Sequence, residues 1–157
     1  VNLVFFDGED LGVPGENETY CQGSRFFAKN LPIPRPDEAI NLDMVGDKQL
    51  VIPIERYSLE YHPKLVRHLW DRAKEMGLDA FIGRVDYAIY DDHIPLNEIA
   101  GIPSIDLIDF KYPNSYANFW HTLNDIPENC SEESLGQVGD LMVDYIYNRE
   151  EQNRSEN

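Results

Sequence analysis

The stretch Val1 to Asp10, VNLVFFDGED, constrains this chain more than any other. Five of its first six residues are apolar, and Val and Phe favour the pleated, buried surface of a strand. A near-continuous apolar run of that length predicts a central parallel strand covered on both faces. The run stops abruptly at Asp7-Gly8-Glu9-Asp10. Three carboxylates in four residues, at the C-terminal end of a buried strand, are costly unless they bind something. Open α/β sheets seat their ligands beyond the carboxyl ends of the strands. A solvated acidic turn accounts for DGED alone equally well, so later residues must decide.

The chain has 157 residues, enough for one domain with a core. Hydrophobic residues make up 42%, which excludes wholesale disorder. Thirteen Lys and Arg against 29 Asp and Glu give a net charge of −16. That balance argues against nucleic acid and against an anionic membrane surface as partner. Its main consequence is solubility, and a carboxylate-rich metal site would add to it. No apolar run is long enough to span a bilayer. Cys21 and Cys130 show no metal spacing, and both pairing and free thiols stay open. Because the chain begins without Met inside a presumed central strand, neighbouring strands and some ligands are expected upstream. The expected unit is therefore the C-terminal portion of one larger domain over 1–147, with an exposed edge at Val1–Phe6, and a polar, frayed tail over 148–157.

Further along, Tyr20–Asn30 predicts a short helix packed through Phe26, Phe27 and Ala28. Ala39–Val45 predicts a strand ending near Asp43, and Gln49–Ile54 another. Pro63–Met76 predicts a core-facing helix, with Leu65, Val66, Leu69, Trp70, Ala73 and Met76 on one face. Pro63 suits its first turn and Gly77 its stop. A short strand near Ala80–Ile82, a helical turn through Ile99 and a strand over Ile102–Ile108 follow. Ser131 caps a last helix whose stripe is Leu135, Val138, Met142, Tyr145 and Ile146. The alternation implies a three-layer α/β sandwich around a mostly parallel sheet.

Four polar groups each follow an apolar run: Glu9-Asp10, Asp43, Asp91-Asp92-His93 and His121. If all lie at one edge of the sheet they converge in one cleft. Carboxylates with an imidazole suit zinc, which in catalytic sites takes three protein ligands and keeps an open position. Two ligands of one such ion would lie roughly 3–4 Å apart. Taken singly, Asp43 is equally well a turn residue, His93 a structural histidine, Trp120 a core residue, and His62 and His68 surface residues.

The segments FFDGED, YCQGSRFFA, LDMVGD, DDHIPL, AGIPSIDLI and FWHTLND, in this order, resemble the zinc aminopeptidases and their relatives the glutaminyl cyclases. FFDGE, DDHIP and the Trp before His121 lean towards the cyclase branch. The resemblance implies a zinc-exopeptidase-like fold and these roles. Glu9 is the general base and acid. Asp10, where the family usually has Glu, and His121 are zinc ligands, with a further Asp ligand upstream. Asp43 is a second-metal ligand in two-zinc peptidases and a hydrogen-bonding group in cyclases. Asp91 belongs to the acidic network, and Trp120 lines the substrate pocket. Asp106 stands where animal cyclases carry His and is assigned to the substrate site.

The implied cofactor is zinc, one ion for a cyclase and two for an aminopeptidase, and the implied substrates are peptide or protein N-termini. The implied location is extracytoplasmic. The reaction expected first is cyclisation of N-terminal Gln to pyroglutamate with loss of ammonia. Hydrolysis of the first peptide bond is the alternative. A metal-free binding relative is the reading from outside the enzymes, and metal content would separate it.

Overall fold

The computed structural model describes the backbone of residues 1–155 and the side chains as far as residue 149. In chain order its elements are α1 (Gln22–Lys29), β1 (Ala39–Asp43), β2 (Ile52–Ile54), α2 (Arg56–Tyr61), α3 (Pro63–Met76), β3 (Phe81–Val85), α4 (His93–Glu98), β4 (Ser104–Ile108), a small hairpin of β5 (Pro113–Asn114) and β6 (Ala117–Asn118), and α5 (Glu132–Ser155). β1 runs parallel to β4 and β2 parallel to β3. β5 and β6 are antiparallel.

Every residue of β4 is buried, so this strand is the centre of the packing. Its side chains alternate between two faces. Ile105 and Leu107 join Ile52, Leu69, Trp70 and Leu141 in the larger apolar cluster, beneath α3 and α5. A second cluster holds Ala28, Leu96 and Ile102, beneath α1 and α4. Helices on both sides of parallel strands give the expected three-layer α/β arrangement. The face towards α4 carries polar residues: Asp106 on β4 stands opposite Asn41 on β1 in the parallel register. An apolar core on one face and a polar row on the other is what turns this sheet into a site.

Helix α3 has the limits its pattern predicts. Pro63 lies in its first turn, and Gly77 ends it with φ of 73°, a left-handed conformation that glycine adopts without strain. Trp70 packs edge-on to Phe81, and its indole N–H donates to the Ile82 carbonyl at 3.0 Å. No helix among the described residues is long and apolar enough to cross a membrane.

Three expectations change. Val1–Phe6 is not a strand: it pairs with no other strand among the described residues, and Phe5 is 94% exposed. A strand exists only where a neighbour supplies hydrogen bonds, and β1 and β4 satisfy each other instead. Only Phe6 is anchored, edge-on against Phe27 of α1. The stripe of α5 is shifted: Leu135 is 50% exposed, whereas Leu141 is fully buried between Val138 and Tyr145. The backbone of α5 also stays helical to Ser155, through most of the expected tail. Its Ser131 cap is present, with the Ser134 N–H donating to Ser131 Oγ at 3.1 Å. Cys21 is buried, Cys130 exposed, and both are free thiols.

Candidate active site

The loop that carries Glu9 and Asp10 is fastened by its backbone. The carbonyls of Asp7, Gly8 and Glu9 accept from the N–H groups of Gly23, Gln22 and Cys21 at 3.0, 3.2 and 2.9 Å. Helix α1 has no side-chain cap, so this loop satisfies its first N–H groups. A Cβ on Gly23 would fall 2.4 Å from the Asp7 carbonyl oxygen, so the approach requires glycine. Among the described residues three that are not glycine hold left-handed backbones: Cys21, Met44 and His121, with φ of 55°, 51° and 58°. Each costs on the order of 1–2 kcal/mol, and such strain concentrates at functional sites. Here Met44 follows Asp43, and Cys21 adjoins Glu9.

His121 Nε2 lies 3.0 Å from Asp10 Oδ1, with both side chains about half exposed. Trp120 stacks on the His121 imidazole at 4.0 Å between ring centroids, and Phe110 packs against Trp120 at 5.1 Å. Glu9, Cys21 and Asp91 each bring one ligand-type atom within 4.8 Å of the others. Asp91 is buried. Its carboxylate accepts from Asn41 Nδ2 at 2.8 Å, and the same amide nitrogen donates to Asp106 Oδ1 at 3.1 Å.

The crowded carboxylates raise one another. Burial, the adjacent Asp10 and the charges of Asp91 and Asp43 push Glu9 up to about 8. Burial and Asp91 lift Asp43 to about 7. Asp92 rises to about 6 through burial. Asp106 is held well above its ordinary value by complete burial, then by Asp91 and Asp43. Such a group of displaced carboxyls side by side suits an acid–base site or a cation site. A divalent cation would draw them back towards ionisation.

The sequence-based set therefore divides. Glu9 lies among Asp10, Asp43 and Asp91, and His121, with Trp120 stacked on it, joins this group through Asp10. Asp106 is set back from them: its side chain is 0% exposed, with Oδ2 3.8 Å from His93 Nδ1, and the Asn41 amide links it to Asp91. Position 106 points towards α4 because Ile105 and Leu107 point the other way. His93 is buried between Asp106 and Glu55, a structural position. Asn41 and Glu55 escape the sequence reading. The signal for both was available: a polar residue inside or directly after a short apolar run.

The donor set fits zinc as far as it goes. An imidazole nitrogen and a carboxylate oxygen 3.0 Å apart need only open slightly to flank one ion with bonds near 2 Å. Both are exposed enough to admit it, and Glu9 precedes Asp10 in the chain.

The layered α/β fold with this sheet-edge cluster is the zinc-exopeptidase fold. The chain belongs to peptidase family M28, whose model matches residues 1–146. Over 92% of its length it is 33% identical to the glutaminyl cyclase of Porphyromonas gingivalis, with a TM-score of 0.86, covering 54% of that chain. A Zn-dependent exopeptidase from Parabacteroides distasonis is 35% identical, with a TM-score of 0.84, over 92% of this chain and 53% of that one. The glutaminyl-peptide cyclotransferase of Boiga dendrophila is 24% identical over 93% of this chain and 44% of its own length. The chain thus spans about half the length of the relatives it matches.

Proposed function

We propose that the full-length protein is a zinc-dependent glutaminyl-peptide cyclotransferase, closing the N-terminal Gln of peptides to pyroglutamate with release of ammonia. The observation that carries this reading is the Trp120 indole stacked on His121, which itself meets Asp10 at 3.0 Å. A flat wall beside the metal ligands suits a short side chain folded back on its own α-amine. The likeness to proteins called glutaminyl cyclases supports it.

Asp10 and His121 would hold the zinc, which when bound supplies a Lewis acid for the γ-amide carbonyl. Trp120 keeps the Gln side chain folded. The α-amine nitrogen bonds to the γ-carbonyl carbon, and the bond from that carbon to the amide nitrogen breaks. Glu9 takes the proton from the amine and returns it to the departing nitrogen, which leaves as ammonia. A carboxyl poised near neutrality suits both halves of that transfer. Asp91, held by Asn41 and close to Glu9, steadies the Glu9 proton.

The second reading is a zinc aminopeptidase, in which Glu9 serves hydrolysis of the first peptide bond. Asp43 favours it, since a carboxylate near Asp91 and Asp10 suits a second ion, as does the likeness to a Zn-dependent exopeptidase. The deciding experiment gives the full-length protein Gln-initiated peptides and aminoacyl amides. Ammonia with pyroglutamate is expected. Free N-terminal amino acids, with two metals per chain, would overturn the cyclase reading. His121→Ala is expected to lower zinc affinity by more than about 100-fold, because a direct ligand outweighs the supporting contacts whose loss costs 10–100-fold. Metal analysis after dialysis against a chelator measures it, and undiminished zinc would remove His121 from the ligand set.

A further inference from the structure

Strands β1 and β4 pair so that Asn41 stands opposite Asp106, and the Asn41 amide is a donor that two buried carboxyls share. Its Nδ2 meets Asp91 Oδ2 at 2.8 Å and Asp106 Oδ1 at 3.1 Å. An amide nitrogen carries two hydrogens, so each carboxyl receives one. Asp91 has a second donor, because its Oδ1 accepts from the Asp92 N–H at 2.5 Å. Asp106 lacks a second donor: its Oδ2 is buried without a hydrogen-bond partner among the described residues.

The groups that face Asp106 are Asp91, Asp43 on β1, Glu55 at the start of α2 and His93 on α4. All but the histidine are acidic. The imidazole Nδ1 is 3.8 Å from Asp106 Oδ2, too far for a hydrogen bond, and Nε2 lies nearer to Glu55, at 3.4 Å. An ionised carboxylate that is 0% exposed, with one donor and like charges around it, is costly. Where two carboxyls share a site, one keeps a proton, and hydrogen bonds to the charged form decide which of them ionises. Asp91 receives more of those bonds, so the proton falls to Asp106. The Asp106 side chain lies within hydrogen-bonding reach of Asp91, which gives that proton an acceptor. Burial and the same neighbouring charges also hold Asp106 above its ordinary value.

We infer that Asp106 is a neutral carboxylic acid whose O–H donates to Asp91, and that it is a positioning residue: with Asn41 it holds Asp91 ionised and fixed beside Glu9. The inference deepens the proposed role of Asp91 and rests on it. The Asp106 proton is not transferred in the reaction. It supplies a donor that keeps Asp91 an acceptor for the proton on Glu9, whose carboxyl lies within 4.8 Å of that of Asp91. Without that donor Asp91 itself would take up a proton and could no longer accept one from Glu9.

The first test is the infrared difference spectrum of the zinc-loaded full-length protein, wild type minus Asp106→Asn. Loss of a carboxylic-acid C=O band is expected. Loss of carboxylate bands in its place overturns the inference. This measurement needs no turnover, so its outcome is separate from that of the cyclase assignment. The second test measures kcat, from whichever product forms. Asp106→Leu fills the position without a proton to donate, and kcat is expected to fall about tenfold, the scale of one hydrogen bond, with KM within about twofold. Asp106→Asn restores a neutral donor and should recover most of that loss. In an Asp91→Asn background, Asp106→Leu should change kcat by less than about twofold, because the acceptor it serves is gone. Equal falls in the two backgrounds would show that Asp106 acts by packing alone and overturn the positioning role. If Asp106→Leu does not fold, the Asp106→Asn difference spectrum decides.

Discussion

Replacing Glu9 by Gln is expected to lower ammonia release from Gln-initiated peptides by about 10²–10⁴-fold, the usual worth of a positioned general base and acid. The loss should fall on kcat. The amide keeps the shape of the side chain but cannot carry the proton from the amine to the leaving nitrogen. Folding should survive. Glu9 is raised to about 8 by burial and by Asp10, Asp91 and Asp43, which means the fold disfavours its ionised form. Its contribution to stability is fully present below about 4.5, falls as pH rises from there to about 8, and is lost above that. A neutral Gln removes this penalty, so in the metal-free protein the melting temperature should exceed wild type at neutral pH and at pH 9. Zinc content should also persist, since Asp10 and His121 are intact. Residual activity within tenfold of wild type, with metal bound, would take Glu9 out of the proton transfer and leave Asp91 or Asp43 as the candidate base.

How much of this was legible in the sequence depends on where each residue finds its partner. Helix α3 was readable to the residue, because its stripe, Pro63 and Gly77 are all local. Strands β1 and β4 were found within about two residues at each end, since apolar runs bounded by Asp43 and by Asp109 mark them. Val1–Phe6 was misread for the opposite reason: strand pairing is non-local, and an apolar run does not say who supplies the ladder. The shifted stripe of α5 has a similar origin. Leu135 and Leu141 are chemically alike, and only the position of Val138 over the core separates them. Within the site, Glu9, Asp10, Asp91 and His121 were legible as charged residues beyond apolar runs. The inward turn of Asp106 was not, although strand alternation between Ile105 and Leu107 carries that information.

The largest expected effect on stability comes from a residue outside the reacting cluster. Glu55 lies at the end of β2 and is 2% exposed. Its carboxylate accepts from the N–H groups of Tyr57 at 2.9 Å and Ser58 at 2.6 Å, capping α2, and from Ser58 Oγ at 2.8 Å. It also accepts from the Ile89 N–H at 2.9 Å, and His93 Nε2 lies 3.4 Å away. Ser58 Oγ in turn accepts from the Asp106 N–H at 2.8 Å, tying α2 to β4. Burial alone would raise this carboxyl, yet His93 and the backbone N–H groups outweigh it and hold it below 4.5. The ionised form therefore stabilises the fold above that value, and the contribution is lost as pH falls through the lowered one. Glu55→Ala strips three backbone donors, a hydroxyl and an imidazole of their shared buried acceptor. A cost of about 3–5 kcal/mol is expected, as for other broken buried charge networks. For a domain of this size that lowers the melting temperature by roughly 10–15 °C. Urea unfolding of the full-length protein measures it, as a fall in midpoint without a change in slope. Because Ile89 begins the stretch leading to Asp91, activity should fall as well, before global unfolding sets in. A cost under about 1 kcal/mol would mean that water replaces the carboxylate at all these donors, and that α2 and the 86–92 segment are held by packing alone.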